Sequence, residues 1–232
     1  IPLKSSLDIF YRRIECTGAE NIPANKPVIF ASNHTNALLD PLVIAYYAGK
    51  QHYFMTRGDV FNNKWLAVVF KSWKMLPVFR MKDGKETMKR NDAVTEFVSG
   101  ELLTGDSIII FPEASHFWEQ TVQPLRKGMV RLAFGVLDRD PDSELTVIPV
   151  GLHFTDMVKV NQDVLVNFGE PVSVKNYPKA DSEQKTFVNF NRDLRERMKE
   201  LIVTIEKNEF YEINNRLRKE LQHSLRHESL IK

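Results

Sequence analysis

Cysteine is nearly missing from this 232-residue chain: Cys16 stands alone, which excludes an internal disulfide framework and fits a reducing compartment. Long apolar runs are missing too. The longest, Leu42 to Ala48, has seven residues, whereas a spanning helix needs about 20, so nothing here is expected to cross a bilayer. There is no signal-peptide pattern, and the first residue is Ile1 rather than Met, so the chain reads as an excerpt or processed form, integral to a membrane only through flanking segments. A charge of one sign is lacking in sum, at +2, and 27% charged residues is near the globular average, which argues against wholesale disorder.

Several chemical signatures are also absent. No Gly-x-Ser-x-Gly elbow occurs, which disfavours a serine hydrolase of the α/β type. Neither a Gly-x-x-x-x-Gly-Lys-Ser/Thr phosphate loop nor a dinucleotide fingerprint is present. The six His and one Cys show no zinc spacing. Cys16, in a predicted strand, reads as a small core residue. These absences point to direct group transfer, with a base activating a hydroxyl and neither metal nor cofactor.

What is present is a repeated rhythm of strand, polar loop and helix. Arg13-Ile-Glu-Cys-Thr17 alternates and ends at Gly18, and Val28-Ile-Phe-Ala-Ser32 is an apolar run suited to a strand buried on both faces. A helix is expected over 41–48, with Asp40 as N-cap and Pro41 in its first position. Strand 53–56 leads through Arg57 to a helix ending at Phe70. Strand 75–79 precedes Arg80 and a helix over 86–103. Strand 107–111 precedes Pro112-Glu113 and a helix over 127–137, before a last buried strand at 146–150. The pattern predicts an α/β fold with a mainly parallel central sheet flanked by helices, occupying residues 1–180. Ligands of such sheets bind beyond the carboxyl ends of the strands, where His34, Arg80 and Glu113 fall. From 181 to 232 the apolar residues follow three- and four-residue steps, Phe187 to Ile205 and then Phe210 to Leu225. They predict a pair of amphipathic helices packed on the domain or leading to a missing segment.

Single residues leave alternatives open. His34, at a strand end, is either a base near neutral pH or a loop hydrogen-bonder; Asp40 is either its orienting carboxylate or a helix cap. Arg80 is a phosphate clamp or a surface cation, and Glu113 holds a substrate hydroxyl or the loop itself. Between Arg57 and Arg90 nine basic residues face three acidic ones, which favours phosphate, anionic lipid or nucleic acid. This stretch lacks a recognised nucleic-acid-binding motif, so no nucleic-acid partner is expected.

Taken together the segments resemble the glycerolipid acyltransferase family, the glycerol-3-phosphate and lysophosphatidate acyltransferases. Gly18-Ala-Glu-Asn-Ile-Pro23 is similar to the family's opening turn. Ala31-Ser-Asn-His34 with Asp40-Pro41 is similar to its first block, and Leu76-Pro-Val-Phe-Arg80 to its second. Ile110-Phe-Pro-Glu113, extended by Ser115-His116 and Pro124-Leu-Arg-Lys-Gly128, is similar to its third block, and Val147-Ile-Pro-Val150 to its fourth. Four blocks in order make the resemblance specific over residues 13 to 155.

The resemblance implies acyl transfer from acyl-CoA or acyl carrier protein, as donor substrate, to the free hydroxyl of 1-acyl-glycerol-3-phosphate. Glycerol-3-phosphate or another lysophospholipid is the alternative acceptor, and a catalytically silent lipid-binding domain is the rival of a different class. In the implied roles His34 is the base and Asp40 steadies it. Arg80, with Arg57 as a second cation, clamps the phosphate. Glu113 and Ser115 contact the acceptor, and amides near Val150 and Gly151 are oxyanion donors. Partners would be membrane lipid and the acyl thioester, at the cytoplasmic face of a membrane, with the oligomeric state open. Trp65, Phe70 and Trp73, interleaved with lysines, read either as an interfacial docking helix or as a core-facing one.

Two departures from the family pattern carry expectations of their own. Five residues separate His34 from Asp40 where the family usually has four, so the pair needs a bulge or an altered helix start. Ala114 stands where the family has Gly, so the turn after Glu113 is expected to be reshaped.

Overall fold

The computed structural model describes residues 7–224 other than 8, 38, 50–51, 79–84, 116–118 and 157–160. In chain order its elements are β1 (Arg13–Thr17), β2 (Val28–Ser32), α1 (Leu39–Tyr47), β3 (Tyr53–Arg57), α2 (Lys64–Ser72), β4 (Met75–Val78) and α3 (Lys85–Leu103). They continue with β5 (Ser107–Ile110), α4 (Lys127–Arg139), β6 (Thr146–Phe154), β7 (Asp163–Phe168), β8 (Val172–Ser173), α5 (Glu183–Glu200) and α6 (Tyr211–Ser224).

The strands form one sheet in the order β1-β7-β6-β2-β5-β3-β4, with β8 beside the start of β6. Strands β6, β2, β5, β3 and β4 run parallel to one another. Strand β7 lies antiparallel to β6 and carries β1 parallel to itself, so one edge runs against the rest. The mainly parallel α/β fold expected from the strand–helix rhythm is therefore the one observed.

Helices cover both faces, and β2 shows why. Val28 and Phe30 point into a core with Val43 and Ile44 of α1, while Ile29 and Ala31 point into a second core. That second core is shared with α3, α4 and α5. These four strand side chains are at most 2% exposed; each large one, fully buried, stabilises by roughly 1.5–3 kcal/mol. A strand with no wet face has to read as an unbroken apolar run, as this one does.

The antiparallel edge is pinned by a close approach. Gly18 follows β1 in a left-handed conformation (φ 70°), and a Cβ there would lie 1.9 Å from the Phe168 carbonyl oxygen. Only glycine satisfies both conditions.

The two C-terminal helices part company. α5 buries Phe187, Phe190, Leu194 and Met198 in the second core. α6 leaves its apolar stripe outside: Ile213, Leu217 and Leu221, with Phe210 just before the helix, are 54–60% exposed, while Arg218 is buried. The sequence left two readings for the pair, packing on the domain or leading to a missing segment; α5 packs its apolar stripe on the domain and α6 does not. Periodicity defines a stripe but not the side that faces the body, and in α6 polar anchors decide the side. The Tyr211 hydroxyl accepts a hydrogen bond from the Gln120 amide at 2.9 Å.

Candidate active site

The site lies at the carboxyl edge of the parallel strands. β2 ends at Ser32, beside Val150 of β6, and the neighbouring β5 ends at Ile110, beside Ala31. The chain leaving β2 carries Asn33 and His34; the chain leaving β5 carries Phe111 and Glu113. Adjacent strand ends thus bring together residues 79 apart in sequence.

Asn33 is buried and ties the departing chain to β6. Its side-chain amide donates to the Leu152 carbonyl at 2.9 Å, and its side-chain oxygen accepts from the Leu152 N–H at 2.8 Å. The side chain does what a backbone would do one step further along a ladder, so the main chain is released to turn at His34.

His34 Nδ1 is 2.8 Å from Asp40 Oδ2. The same oxygen accepts the Thr35 N–H at 2.9 Å and the Asn36 N–H at 2.8 Å. Asp40 is fully buried; burial pushes its pKa up, against the pull of His34 and the two amides. Its Oδ1 has no hydrogen-bond partner among the described residues. With Nδ1 donating to the carboxylate, the imidazole lone pair resides on Nε2, the form able to accept a proton. Asn36 Nδ2 donates in turn to the Tyr11 hydroxyl at 3.3 Å. The pKa of that hydroxyl is raised by burial and, to a lesser degree, by the Asp40 charge.

The expected N-cap role of Asp40 is not what is found. α1 begins at Leu39, so Asp40 sits inside the first turn, and its carboxylate reaches back to the amides of 35 and 36. These amides precede the helix, so the carboxylate organises the loop that holds His34 rather than capping the turns that follow.

Glu113, 4% exposed, uses both oxygens on backbone. Oε2 accepts the His34 N–H at 3.2 Å, and Oε1 accepts the Gln123 N–H at 2.8 Å. Burial pushes its pKa up to about 7 in spite of these donors. Of the two readings left open for this residue, its contacts are those of a loop holder. Phe111 lies flat on the His34 ring, with centroids 4.0 Å apart and planes 18° apart.

The other expected site residues are spread around this centre. Arg57 closes β3, the strand beyond β5, at the same edge of the sheet. Arg80 lies outside the described residues. Ser115 is exposed, two positions after Glu113. Trp65 on α2 is 86% exposed, and Trp73, just past its end, 44%. Phe70 is partly buried, packed against the core with its ring against Phe61.

Residues 13–153 match the acyltransferase family. This chain belongs to that family. Glycerol-3-phosphate O-acyltransferase 1 of Saccharomyces cerevisiae is 30% identical over 106 residues, 46% of this chain and 13% of the yeast protein. The 1-acyl-sn-glycerol-3-phosphate acyltransferase of Borreliella burgdorferi is 24% identical over 180 residues, 77% of this chain and 66% of that protein. The crystal structure of the 1-acyl-sn-glycerophosphate acyltransferase PlsC from Thermotoga maritima superposes with a TM-score of 0.63 at 18% identity. It covers 85% of this chain and 75% of that one, and it establishes a shared fold. The aligned part is only a small fraction of the yeast relatives, 13% and 11%.

In this acyltransferase-family chain both departures from the pattern are absorbed by left-handed alanines. The additional residue between His34 and Asp40 is taken up at Ala37 (φ 43°), followed by a turn from the Leu39 N–H to the Asn36 carbonyl. Ala114 adopts φ 61°, with its N–H bonded to the Phe111 carbonyl at 3.0 Å. The expected reshaping of that turn is thus not seen. The loop keeps a conformation suited to glycine and bears the strain, about 1–2 kcal/mol for a residue with a Cβ.

The oxyanion assignment fails on topology. Both residues of that assignment lie within β6, Val150 between β2 and β7 and Gly151 paired with β7, so this stretch of backbone belongs to the sheet. Gly151 is also covered by Leu201, whose carbonyl oxygen would sit 2.5 Å from a Cβ there. The reading from sequence gave no role to Asn33 or Phe111, although both lie inside the quoted blocks. Their signal was position, next to His34 and next to a strand end.

Proposed function

We propose that this chain transfers a fatty acyl group from a thioester donor, acyl-CoA or acyl carrier protein, to the free hydroxyl of 1-acyl-glycerol-3-phosphate. The observation that carries the reading is the 2.8 Å contact between His34 Nδ1 and Asp40 Oδ2 at the carboxyl edge of the sheet. Nε2 takes the proton of the acceptor hydroxyl as its oxygen attacks the thioester carbonyl. The tetrahedral intermediate expels the thiolate, which receives that proton from the imidazolium, leaving an ester and a free thiol. No covalent bond to the enzyme forms. General-base catalysis supplies about 10²–10⁴-fold, and positioning and charge stabilisation the rest.

Arg57 and Arg80 are the cations assigned to the acceptor phosphate, Arg80 on its sequence position two residues past β4. Ser115, exposed beside the Glu113 turn, is assigned to the acceptor's polar part. The similarity to the Borreliella enzyme over most of the chain favours the lysophosphatidate acceptor, and that to the yeast enzyme supports glycerol-3-phosphate as the second reading.

An amphipathic acceptor places the enzyme at a bilayer surface, at the cytoplasmic face in this reading. No described helix is long and apolar enough to cross a membrane. The outward Trp65 and Trp73 supply an interfacial contact of the right chemistry. Replacing both with Ala should weaken co-sedimentation with vesicles; unchanged co-sedimentation of the folded variant refutes that contact.

The test of the reaction is thiol release from long-chain acyl-CoA by protein on vesicles. Lysophosphatidate and glycerol-3-phosphate are offered separately, with His34→Ala as control. Release that requires one acceptor and vanishes in the variant fixes both reaction and acceptor. No release with either acceptor, and none when acyl carrier protein is the donor, refutes the proposal in favour of a silent lipid-binding domain.

A further inference from the structure

Asp40 meets the imidazole at its edge, through Nδ1, and a contact on the ring's face acts in a direction that this hydrogen bond does not. The Phe111 ring lies against the His34 ring at 4.0 Å between centroids and 18° between planes. It is itself held firmly. Phe111 is the first residue beyond β5, its carbonyl accepts the Ala114 N–H at 3.0 Å, and the next carbonyl, of Pro112, accepts the Arg126 N–H at 2.8 Å. Two residues on, Glu113 fastens the same turn to the His34 backbone. The turn after β5 therefore grips the histidine twice, by its main chain and by its ring face.

We infer that Phe111 is a positioning residue for His34, fixing the plane of the imidazole and stabilising the imidazolium formed when His34 takes a proton. The face of an aromatic ring carries partial negative charge and attracts a cation laid over it. In acyl transfer the imidazolium exists between proton uptake from the hydroxyl and proton return to the thiolate, so a ring that favours it favours the step between them. The inference rests on the reading of His34 as the base. Two carboxylates lie beside His34: Asp40 of α1 on the ring and Glu113 of the β5 turn on its backbone N–H. The contribution of Phe111 is therefore read as a difference with both in place.

The experiment follows the His34 ring Cε1–H by NMR from pH 5 to 9, with the signal assigned by its loss in His34→Ala. Wild type is compared with Phe111→Leu, Phe111→Tyr and protein carrying pentafluorophenylalanine at position 111, which keeps the ring's shape and reverses its charge distribution. Leu and the fluorinated ring are expected to lower the titration midpoint by about half a pH unit, and Tyr to leave it near wild type. In the thiol-release assay Phe111→Leu should lose roughly five- to tenfold in kcat with KM for both substrates within about twofold, and Tyr should recover most of it.

An unmoved midpoint in the fluorinated protein overturns the inference, whatever happens to kcat, because packing alone would leave the titration in place. If the Leu variant fails to fold, the shape-preserving fluorinated ring decides alone. A shifted midpoint in a protein that releases no thiol upholds the stacking and refutes the acyl-transfer reading instead.

Discussion

Two buried carboxylates flank the same histidine, and their contacts differ in kind. Asp40 reaches the ring; Glu113 reaches the main chain. Asp40 places one oxygen on His34 Nδ1 and on two amides of the same loop, so its charge lies directly against the ring. Glu113 spreads its oxygens over the amides of His34 and Gln123, which lie in two different loops. Conserving charge and burial while changing the partner turns an electrostatic device into a mechanical one. Both are buried carboxylates beside the same loop, so it is the identity of their donors that tells them apart.

That contrast can be broken most sharply at Asp40. Asp40→Asn keeps the volume but offers an amide to three donors and removes the negative charge, so kcat should fall by about 10² or more with KM little changed. Steady-state kinetics of the folded variant check this. A loss below fivefold would mean that Asp40 does not orient the base.

Glu113→Gln sharpens the contrast from the other side. The wild-type carboxyl has a pKa raised to about 7, above its value in an unfolded chain. A carboxyl shifted upward binds its proton more tightly when folded. Its contribution to stability is therefore fully present below the unfolded value, near 4.5, and is lost as pH rises through about 7. The thermal midpoint of wild type relative to Glu113→Gln should fall between pH 5 and 8, by the equivalent of at most a few kcal/mol. KM for the acceptor should stay within about threefold of wild type. A KM effect of tenfold or more without loss of stability would instead put Glu113 on the substrate.

A smaller effect is expected at Ala114, whose φ of 61° suits glycine. Ala114→Gly should raise stability by about 1 kcal/mol. A denaturant midpoint that does not rise would show that the turn is not strained. The smallest effect concerns α6. Leu217→Ser there should change stability by no more than about 0.5 kcal/mol, because that side chain is 55% exposed, whereas Phe190→Ala in α5 should cost about 3–5 kcal/mol.

The parallel core was legible because β2 and β5 are so apolar that only a doubly covered sheet can hold them. His34, Asp40 and Glu113 were legible because ligands gather at the carboxyl ends of such strands and these residues follow β2 and β5. The antiparallel addition of β7 was not, although Asp163-Val-Leu-Val-Asn-Phe168 has alternation: nothing local says that a strand will run against its neighbours. The stripe of α6 was legible and its direction was not, since periodicity does not show that Tyr211 meets the Gln120 backbone or that Arg218 is buried. The oxyanion assignment failed similarly, because the commitment of an amide to the sheet depends on β6 running past Val150 to Phe154.

Asn33 has a consequence for how such a site changes over evolutionary time. By substituting its side chain for the next rung, it insulates the sheet from whatever the following loop does. Residues can be gained or lost between His34 and Asp40 without unzipping β2 from β6, provided that a local kink, here at Ala37, returns the carboxylate to the ring. The loop after β2 is in that sense an interchangeable part on a fixed mount. Its length is then a poor guide to whether the pair can form, and a six-position separation remains compatible with the pair.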